Sequence, residues 1–455
     1  MDRDRLYDFV CGKSVAVIGI GISNRPLIEY LAKKNIDVTA CDKRKKEELG
    51  NTYDELKSLG VKLNLGEDYL KNLDSDIIFK TPGMRYDVPE LIEARNKGLI
   101  VTSEMEVFFD ICPSRIIAVT GSDGKTTTTT LIYKMLTEAG YKTWLGGNIG
   151  MPLLVKANEM QKDDIVVLEL SSFQLHTMKK SPHIAVITNI SPNHLDMHKS
   201  YEEYINAKKN IMLYQNKNDI LITNLSSEPT KIIGEEAKGE NRSFSSKQDA
   251  LIHLKDGSIY YGKEEILSVS DIKIPGNHNV ENYMAAIGAV YGLVKPETIR
   301  KIAREFGGVE HRLEFVRNRN GVNYYNSSID SSPNRTINAL SVFKDKIILI
   351  AGGKDKGIPY DDIGAPLEEH VKLLILIGAT SDKIYEALIK NAEKKKIKSE
   401  VKVFRAESYE EAVKYAADNA ECGDTVLLSP ASTSFDRFKN FEERGNLFKK
   451  LVNEL

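Results

Sequence analysis

The chain has 455 residues, room for about three domains, and its 41% hydrophobic and 28% charged content is that of an ordinary soluble globular protein. A net charge of −2 gives no reason to expect a nucleic acid or an anionic membrane surface as partner. No stretch has the ~18 apolar residues of a membrane span, and the opening MDRDRLYDFV lacks the apolar core of a signal peptide, so a cytoplasmic protein is expected.

The first segment alternates strand and helix. Ser14–Ile20 reads as a buried strand, followed by a turn at Gly21-Ile22-Ser23-Asn24, a helix over Pro26–Lys33, and a strand over Asp37–Ala40 leading to Asp42. An acid about 20 residues past a Gly-x-Gly turn is where a dinucleotide fold holds a ribose hydroxyl. Here Gly19 and Gly21 are present but Asn24 stands for the third glycine, which leaves a Rossmann-like nucleotide site and a plain turn both open. A strand over Asp76–Phe79 ends at Thr81-Pro82-Gly83, and the segment closes near Cys112-Pro113. Cys11, Cys41, Cys112 and Cys422 are scattered, with no C-x-x-C pair, and read as buried thiols.

The second segment opens on Ile116–Thr130. A β-branched run enters Gly121-Ser122-Asp123-Gly124-Lys125-Thr126, and a helical pattern follows with Leu131, Ile132, Met135 and Leu136 on one face and Gly140 as its stop. Strand, glycine loop, Lys-Thr and helix make a nucleoside triphosphate cradle. Backbone N–H groups hold phosphate oxygens, the lysine reaches the outer phosphates, and the threonine hydroxyl meets Mg²⁺. Val119 stands where the strict pattern has its first glycine.

Gly146-Gly147-Asn148-Ile149-Gly150 offers a polar Asn148 that fits either a ligand contact or a loop turn. The buried strand Asp164–Leu170 carries one acid, Glu169, near its carboxyl end, a Mg²⁺ candidate or a structural ion pair. After a strand over Ile184–Ile190, His194, Asp196 and His198 suggest metal or phosphate contact, though Asp196 and His198 could equally be solvated. A helix over Tyr201–Leu213 carries Lys208 and Lys209, which spacing does not separate. Asn279 and Asn282 open another helix, as caps or as adenine contacts.

The third segment begins near Val309-Glu310-His311-Arg312, with strands at Val322–Tyr325, Lys346–Ala351, Leu373–Gly378 and Thr425–Leu428. Its polar loops (326–333, 352–357 and 429–436) converge on one edge of a parallel sheet, as substrate sites do.

TGSDGKTTT, GGNIG, ELSSFQL, PGNHNVEN and VEHRLE, in this order, resemble the motifs of the Mur ligase family, and SPASTSFDRFKNFEERG resembles its D-glutamate-adding branch. The resemblance covers nearly the whole chain. It implies an α/β protein of three domains: a Rossmann-like UDP-binding domain (1–112), a central phosphate-loop ATPase-type domain (113–308) and a Rossmann-like amino-acid-binding domain (309–455). The implied activity is ATP-dependent amide ligation of D-glutamate to UDP-N-acetylmuramoyl-L-alanine, in peptidoglycan precursor synthesis, by a monomer.

Residue by residue, the resemblance puts ATP on Gly121, Ser122, Asp123, Gly124, Lys125, Thr126, Thr127, Asn279, Asn282, Arg312 and Asp330. It puts two Mg²⁺ ions on Thr126, Glu169, His194 and a carbamylated Lys208, with Lys125, Lys208 and His194 as the catalytic set. The UDP-sugar falls to Ile22, Ser23, Asp42 and Asn148, and D-glutamate to Ser331, Lys356, Ser434 and Phe441. One departure stands out. The family's N-D-S-x-A-T strand end is Asn326-Ser327-Ser328-Ile329-Asp330-Ser331 here, so Asp330 is expected to act for the aspartate missing at 327.

Overall fold

The computed structural model describes residues 4–21, 23–192, 198–355 and 357–455. They form two compact units, residues 1–269 with 280–302, and residues 270–279 with 303–455. Both are built from predominantly parallel sheets with buried strands.

The first unit holds two sheets. In one, β1 (Val15–Ile18), β2 (Val38–Asp42), β3 (Lys62–Leu65), β4 (Ile77–Phe79) and β5 (Ile100–Thr102) run parallel in the order β3-β2-β1-β4-β5. The chain reverses its winding between β1 and β4, and a crevice at that point receives ligands in open α/β sheets. The other sheet contains β6 (Arg115–Thr120), β7 (Thr143–Gly147), β8 (Ile165–Glu169), β9 (Ile184–Ile187), β10 (Ile220–Asn224), β11 (Glu240–Ser245), β12 (Ile252–Lys255), β13 (Ser258–Tyr261) and β14 (Glu264–Ser268). Its order, β14-β13-β12-β11-β10-β9-β6-β8-β7, puts β6 at the switch point between β9 and β8. The antiparallel edge β12–β14 has no counterpart in the sequence reading. Its three strands are only four or five residues long, too short for their patterning to stand out from a loop.

The second unit holds β15 (Glu314–Arg319), β16 (Val322–Asn326), β17 (Ile347–Ala351), β18 (Val371–Leu376), β19 (Lys402–Arg405) and β20 (Thr425–Leu428), in the order β15-β16-β20-β17-β18-β19. All pairings are parallel except β15 with β16.

The helix Tyr201–Leu213 shows how patterning positions a functional side chain. Ser200 Oγ accepts from the N–H of Glu203 (3.1 Å), and Glu202 and Glu203 complement the positive end of the helix. Tyr204, Ala207, Lys208, Ile211 and Met212 are its buried residues, spaced three and four apart on one face. Lys208 is therefore turned inward, whereas Lys209 pairs with Glu236 at 2.6 Å.

All four cysteines are free thiols, but only Cys41 is buried; Cys112 is half-buried and Cys11 and Cys422 are exposed, against the expectation of burial. Each exposed cysteine sits beside a turn glycine outside the strands. Among the described residues no helix is long and apolar enough to cross a membrane.

Candidate active site

The loop after β6 is shaped by two glycines that admit no side chain. Gly121 has φ +148°, and a Cβ there would lie 1.9 Å from Thr188 Oγ1; Gly124 has φ +77°, and a Cβ would lie 2.2 Å from Asn282 Oδ1. Ser122 donates its N–H to the Asn189 carbonyl (2.8 Å), and Asp123 N–H donates to Asn189 Oδ1 (3.0 Å). Thr188 Oγ1 closes the loop by donating to the Asp123 carbonyl (2.6 Å). The helix Lys125–Glu138 starts directly behind, so its first free N–H groups face the loop, a ready anion cradle. Thr126 and Thr127 stand half-buried in its first turn, and Gly140, at φ +92°, follows its end as expected.

Two lysines converge on this cradle. Lys125 Nζ donates to the carbonyls of Gly121 (3.0 Å) and Ser122 (2.9 Å), and Lys208 Nζ donates to Gly121 (2.7 Å). Lys208 is 2% exposed. Burial and the neighbouring Lys125 cation hold its amine well below the usual lysine range, against the pull of Glu169 and Asp123. Tyr204, whose hydroxyl lies 3.0 Å from Ser122 Oγ, carries the Lys208 ammonium position over its ring at 4.7 Å.

Glu169 closes β8 beside the glycine cluster. Its Oε1 accepts from Asn148 Nδ2 (2.8 Å), while its Oε2 is buried with no hydrogen-bond partner. An orphaned carboxylate oxygen is costly to bury, and a hard cation repays it. On a strand of the sheet that carries the phosphate cradle, that oxygen suits Mg²⁺. Asn148 thus orients the acid. His194 and Asp196 lie outside the described residues. His198 is 3% exposed, its Nε2 3.0 Å from Ser172 Oγ, and so it is not solvated.

At the β1–β4 crevice, Asp42 accepts from the Ile20 N–H (2.7 Å) and from Arg44 through both carboxylate oxygens (3.0 and 2.8 Å). Burial raises its pKa, but these bonds prevail and bring it to about 2. Ser23 is exposed at the turn, and Ile22 lies outside the described residues. Asn24 is buried and donates to the Ile18 carbonyl (2.9 Å), filling the place of the absent third glycine.

In the second unit the polar loops meet at the carboxyl ends of β16, β17 and β20. Asn326 Nδ2 bonds His311 Nδ1 (2.9 Å) and Glu314 (3.0 Å). Arg444, fully buried, donates to Ser328 Oγ (2.9 Å), the Ser328 carbonyl (2.7 Å) and the Ser432 carbonyl (3.0 Å), pinning two loops together. Neither His311 nor Arg444 was singled out by spacing. Both act through backbone and amide contacts more than 10 residues away in sequence, which no local pattern encodes. Asp330 is buried and accepts from Ser429 Oγ (2.8 Å), and desolvation pushes its carboxyl up to about 6. Ser331 is half-buried and Ser434 is 2% exposed beside Arg437. Phe441 opens the last helix with its ring edge-on to His311 at 5.9 Å. Lys356 lies outside the described residues. Arg312 stands near enough to Asp330 to draw its pKa down, and Asn279 donates to the Pro275 carbonyl (2.6 Å).

Three family descriptions match the chain: "Mur ligase MurD-like, N-terminal domain" over 13–103, "Mur ligase middle domain" over 119–290, and "Mur ligase, glutamate ligase domain" over 311–432. The chain is 57% identical over 453 residues to UDP-N-acetylmuramoylalanine--D-glutamate ligase of Ruminiclostridium cellulolyticum, covering 98% of this chain and 97% of that one. It is 55% identical to the ligase of the same name from Acetivibrio thermocellus, covering 99% of both. Among solved structures, UDP-N-acetylmuramate-alanine ligase MurC from Thermotoga maritima shares the fold, with a TM-score of 0.59 and 20% identity over 97% of this chain and 99% of that one. MurF from Acinetobacter baumannii does so too, with a TM-score of 0.58 and 18% identity over 78% and 82%. By these matches over nearly its whole length, the chain belongs to the Mur ligase family.

Proposed function

We propose that this protein joins D-glutamate to UDP-N-acetylmuramoyl-L-alanine, using ATP and releasing ADP and phosphate. The chemistry rests on one observation: a phosphate cradle with two inward lysines and a buried carboxylate oxygen that lacks a partner. The choice of substrates rests on the two relatives of that name.

An amide cannot form from a carboxylate and an ammonium in water without activation. The γ-phosphoryl of ATP passes to the alanyl carboxylate, and the D-glutamate amine displaces phosphate from the resulting acyl phosphate. The first step brings two anions together. Lys125 and the N–H groups behind Gly124 offset that repulsion from fixed positions. Mg²⁺ held by Thr126, Glu169, His194 and Lys208 would add charge neutralisation at the phosphates.

Lys208 suits this set once its amine has taken up CO₂. The nitrogen lone pair attacks the carbon, one C=O π pair becomes a carboxylate, and the nitrogen gives up a proton. The remaining N–H can keep its bond to Gly121. The buried neutral amine becomes an anion beside Glu169, completing an oxygen donor set.

We assign domain limits near 112/113 and 308/309, with Ile22, Ser23 and Asp42 on the uridine, Asn148 on the sugar-peptide, and Ser331, Lys356, Ser434 and Phe441 on D-glutamate. Asn279, Asn282, Arg312 and Asp330 are assigned to ATP, and the active species is taken to be a cytoplasmic monomer.

The test is phosphate release from ATP, Mg²⁺ and UDP-N-acetylmuramoyl-L-alanine with D-glutamate, L-glutamate, L-lysine or no amino acid. Release requiring both the UDP-sugar and D-glutamate is expected. Release with L-lysine alone would move the specificity, and release without an acceptor would mark an ATPase.

A further inference from the structure

The loop after β20 contains a strained residue, and the second unit grips that loop at every carbonyl. Ala431 is fully buried and has φ +55°, in the left-handed region that residues with a Cβ seldom occupy. Four consecutive carbonyls there each accept a hydrogen bond. Pro430 accepts from the Gly352 N–H (2.8 Å), Ala431 from the Tyr360 hydroxyl (3.1 Å), Ser432 from Arg444 (3.0 Å) and Thr433 from the Lys354 N–H (2.9 Å). Two of these donors are backbone groups, and Arg444 is shared with Ser328. The Tyr360 phenol is the donor that meets the strained residue itself.

A hydroxyl carries one proton, so the direction of each bond behind Tyr360 can be worked out. The phenol donates to Ala431 and therefore accepts from Ser432 Oγ (2.9 Å). Ser432, its own proton placed on the phenol, accepts from Thr380 Oγ1 (2.7 Å), whose other acceptor, the Gly353 carbonyl, is farther off at 3.3 Å. Thr380 in turn accepts from the Gly353 N–H (3.1 Å). Tyr360, Thr380 and Ser432 are all buried, so bulk water does not compete for these groups. The chain of bonds ties together the segments that follow β17, β18 and β20, three neighbouring strands of the sheet.

A left-handed residue other than glycine persists only where its surroundings over-determine it, and such residues gather at functional sites. Ala431 lies three positions before Ser434, on the same gripped loop. We propose that Tyr360 is a positioning residue for D-glutamate: through the Ala431 carbonyl it holds the turn that presents Ser434. The inference rests on the assignment of Ser434 to D-glutamate made above. Tyr360 acts through Ala431, not on the amino acid itself.

The experiment is steady-state phosphate release by the full chain, with D-glutamate varied at saturating ATP, Mg²⁺ and UDP-N-acetylmuramoyl-L-alanine. Tyr360→Phe keeps the ring and removes one hydrogen bond, and should raise the KM for D-glutamate about 3–10-fold. The KM values for ATP and the UDP-sugar should stay within about twofold of the parent. Ala431→Gly takes up the same backbone angle without a Cβ, so Tyr360→Phe/Ala431→Gly should recover most of the loss. A residue that served stability alone would lower Tm without moving this KM, and glycine would not restore it. The exposed Tyr385→Phe should keep the parent's KM. Should Tyr360→Phe fail to fold, Ser432→Ala removes the hydroxyl that supports the phenol and is expected to raise the same KM at least about twofold. A parent that needs no D-glutamate, or a Ser434→Ala variant with the parent's KM, would overturn the assignment of Ser434 and this inference with it. If Ser434→Ala raises the KM but Tyr360→Phe, or Ser432→Ala in its stead, leaves it unchanged, the inference alone falls; it falls equally if glycine at 431 restores nothing.

Discussion

Lys208 and Lys125 reach for the same atom: their Nζ groups lie 2.7 and 3.0 Å from the carbonyl oxygen of Gly121. One carbonyl cannot favourably hold two full cations in a buried site. The conflict falls on Lys208, which is almost wholly enclosed and whose amine is driven towards neutrality by burial and by Lys125. A neutral buried amine is a nucleophile, and CO₂ is small enough to reach it.

Depleting bicarbonate should therefore lower turnover reversibly. The rate is expected to fall at least about tenfold in CO₂-free buffer and to return on adding bicarbonate, since a positioned charge of this kind is worth at least one order of magnitude. Lys208→Met should be insensitive to bicarbonate and slower by about 10²–10³-fold. A carbamate carbon signal after ¹³C-bicarbonate labelling, absent in Lys208→Met, identifies the group. Equal rates with and without bicarbonate would show that the amine works unmodified.

Lys125→Ala separates chemistry from substrate capture. Lys125 is bonded to its own loop carbonyls and opens the helix after β6, whereas Asp42, assigned to uridine, closes β2 of the other sheet. Turnover should drop by about 10³-fold or more, as when a transition-state charge partner is lost, with UDP-sugar affinity unchanged within about twofold. Calorimetric titration of the UDP-sugar decides, and joint loss of both properties would contradict the division.

Much of this was legible before any coordinates. Gly121, Gly124 and Lys125 are recognisable because a phosphate loop is a local object: strand, turn and helix follow within about 20 residues. The helix Tyr201–Leu213 is read at both ends because its cap and its apolar face are local too. The apolar stripe of Tyr204, Ala207 and Ile211 even contains position 208, a signal that would have separated Lys208 from Lys209. What stayed hidden depends on tertiary contact. The bond from Asn148 to Glu169, the Arg444 clamp and the Tyr360 hydroxyl chain each join segments with no shared pattern. The short edge strands β12–β14 fell below the length at which alternation can be told from chance.

The Asn148–Glu169 pair makes its own prediction. Asn148 fixes Oε1, so that Oε2 alone is left for a cation. Glu169→Gln keeps the acceptor for Asn148 but removes the charge, and should raise the Mg²⁺ concentration for half-maximal activity at least about tenfold. Asn148→Ala leaves the charge but frees the side chain, and a smaller shift of about threefold is expected. Titrating activity against Mg²⁺ in both variants gives the order, and a larger effect at 148 would mean that Asn148 does more than orient the acid.

Asp330 ties pH to stability. Desolvation lifts its carboxyl from 3.8 to about 6, against hydrogen bonds from Ser327 and Ser429 and the charges of Arg312 and Arg335. Between those values the folded state holds a proton that the unfolded state has lost. The contribution of the protonated form is complete below the unfolded value and disappears as pH rises through about 6. A shift of this size corresponds to about 3 kcal/mol. Asp330→Asn keeps an acceptor for Ser429 and cannot ionise, so its Tm should gain on that of the parent progressively from about pH 4 to about pH 6.5 and hold level above. Parallel melting curves across that range would show that the carboxylate is paired well enough to bear its burial.

The same residue tests the exchange at the end of β16. The Asp330 N–H donates to the Ser327 carbonyl at 3.0 Å, so one turn holds both the serine and the acid. A carboxylate at 330 faces the hydroxyls of Ser327 and Ser429 and feels Arg312. If it serves in place of an acid at 327, Asp330→Ala should raise the KM for ATP about tenfold, the worth of one charge-assisted contact of ~1.4 kcal/mol. Ser327→Asp alone would set two carboxylates in one buried turn and should also impair the enzyme, because like charges resist joint ionisation. The double variant Ser327→Asp/Asp330→Ala has one acid again and should recover most of the lost affinity. Steady-state kinetics on the three variants, with ATP varied at saturating UDP-sugar and D-glutamate, distinguish this from independent roles. A double variant no better than the worse single one would mean that Asp330 acts only through the packing of Ser429 and Thr336, whose hydroxyls lie 2.8 Å apart.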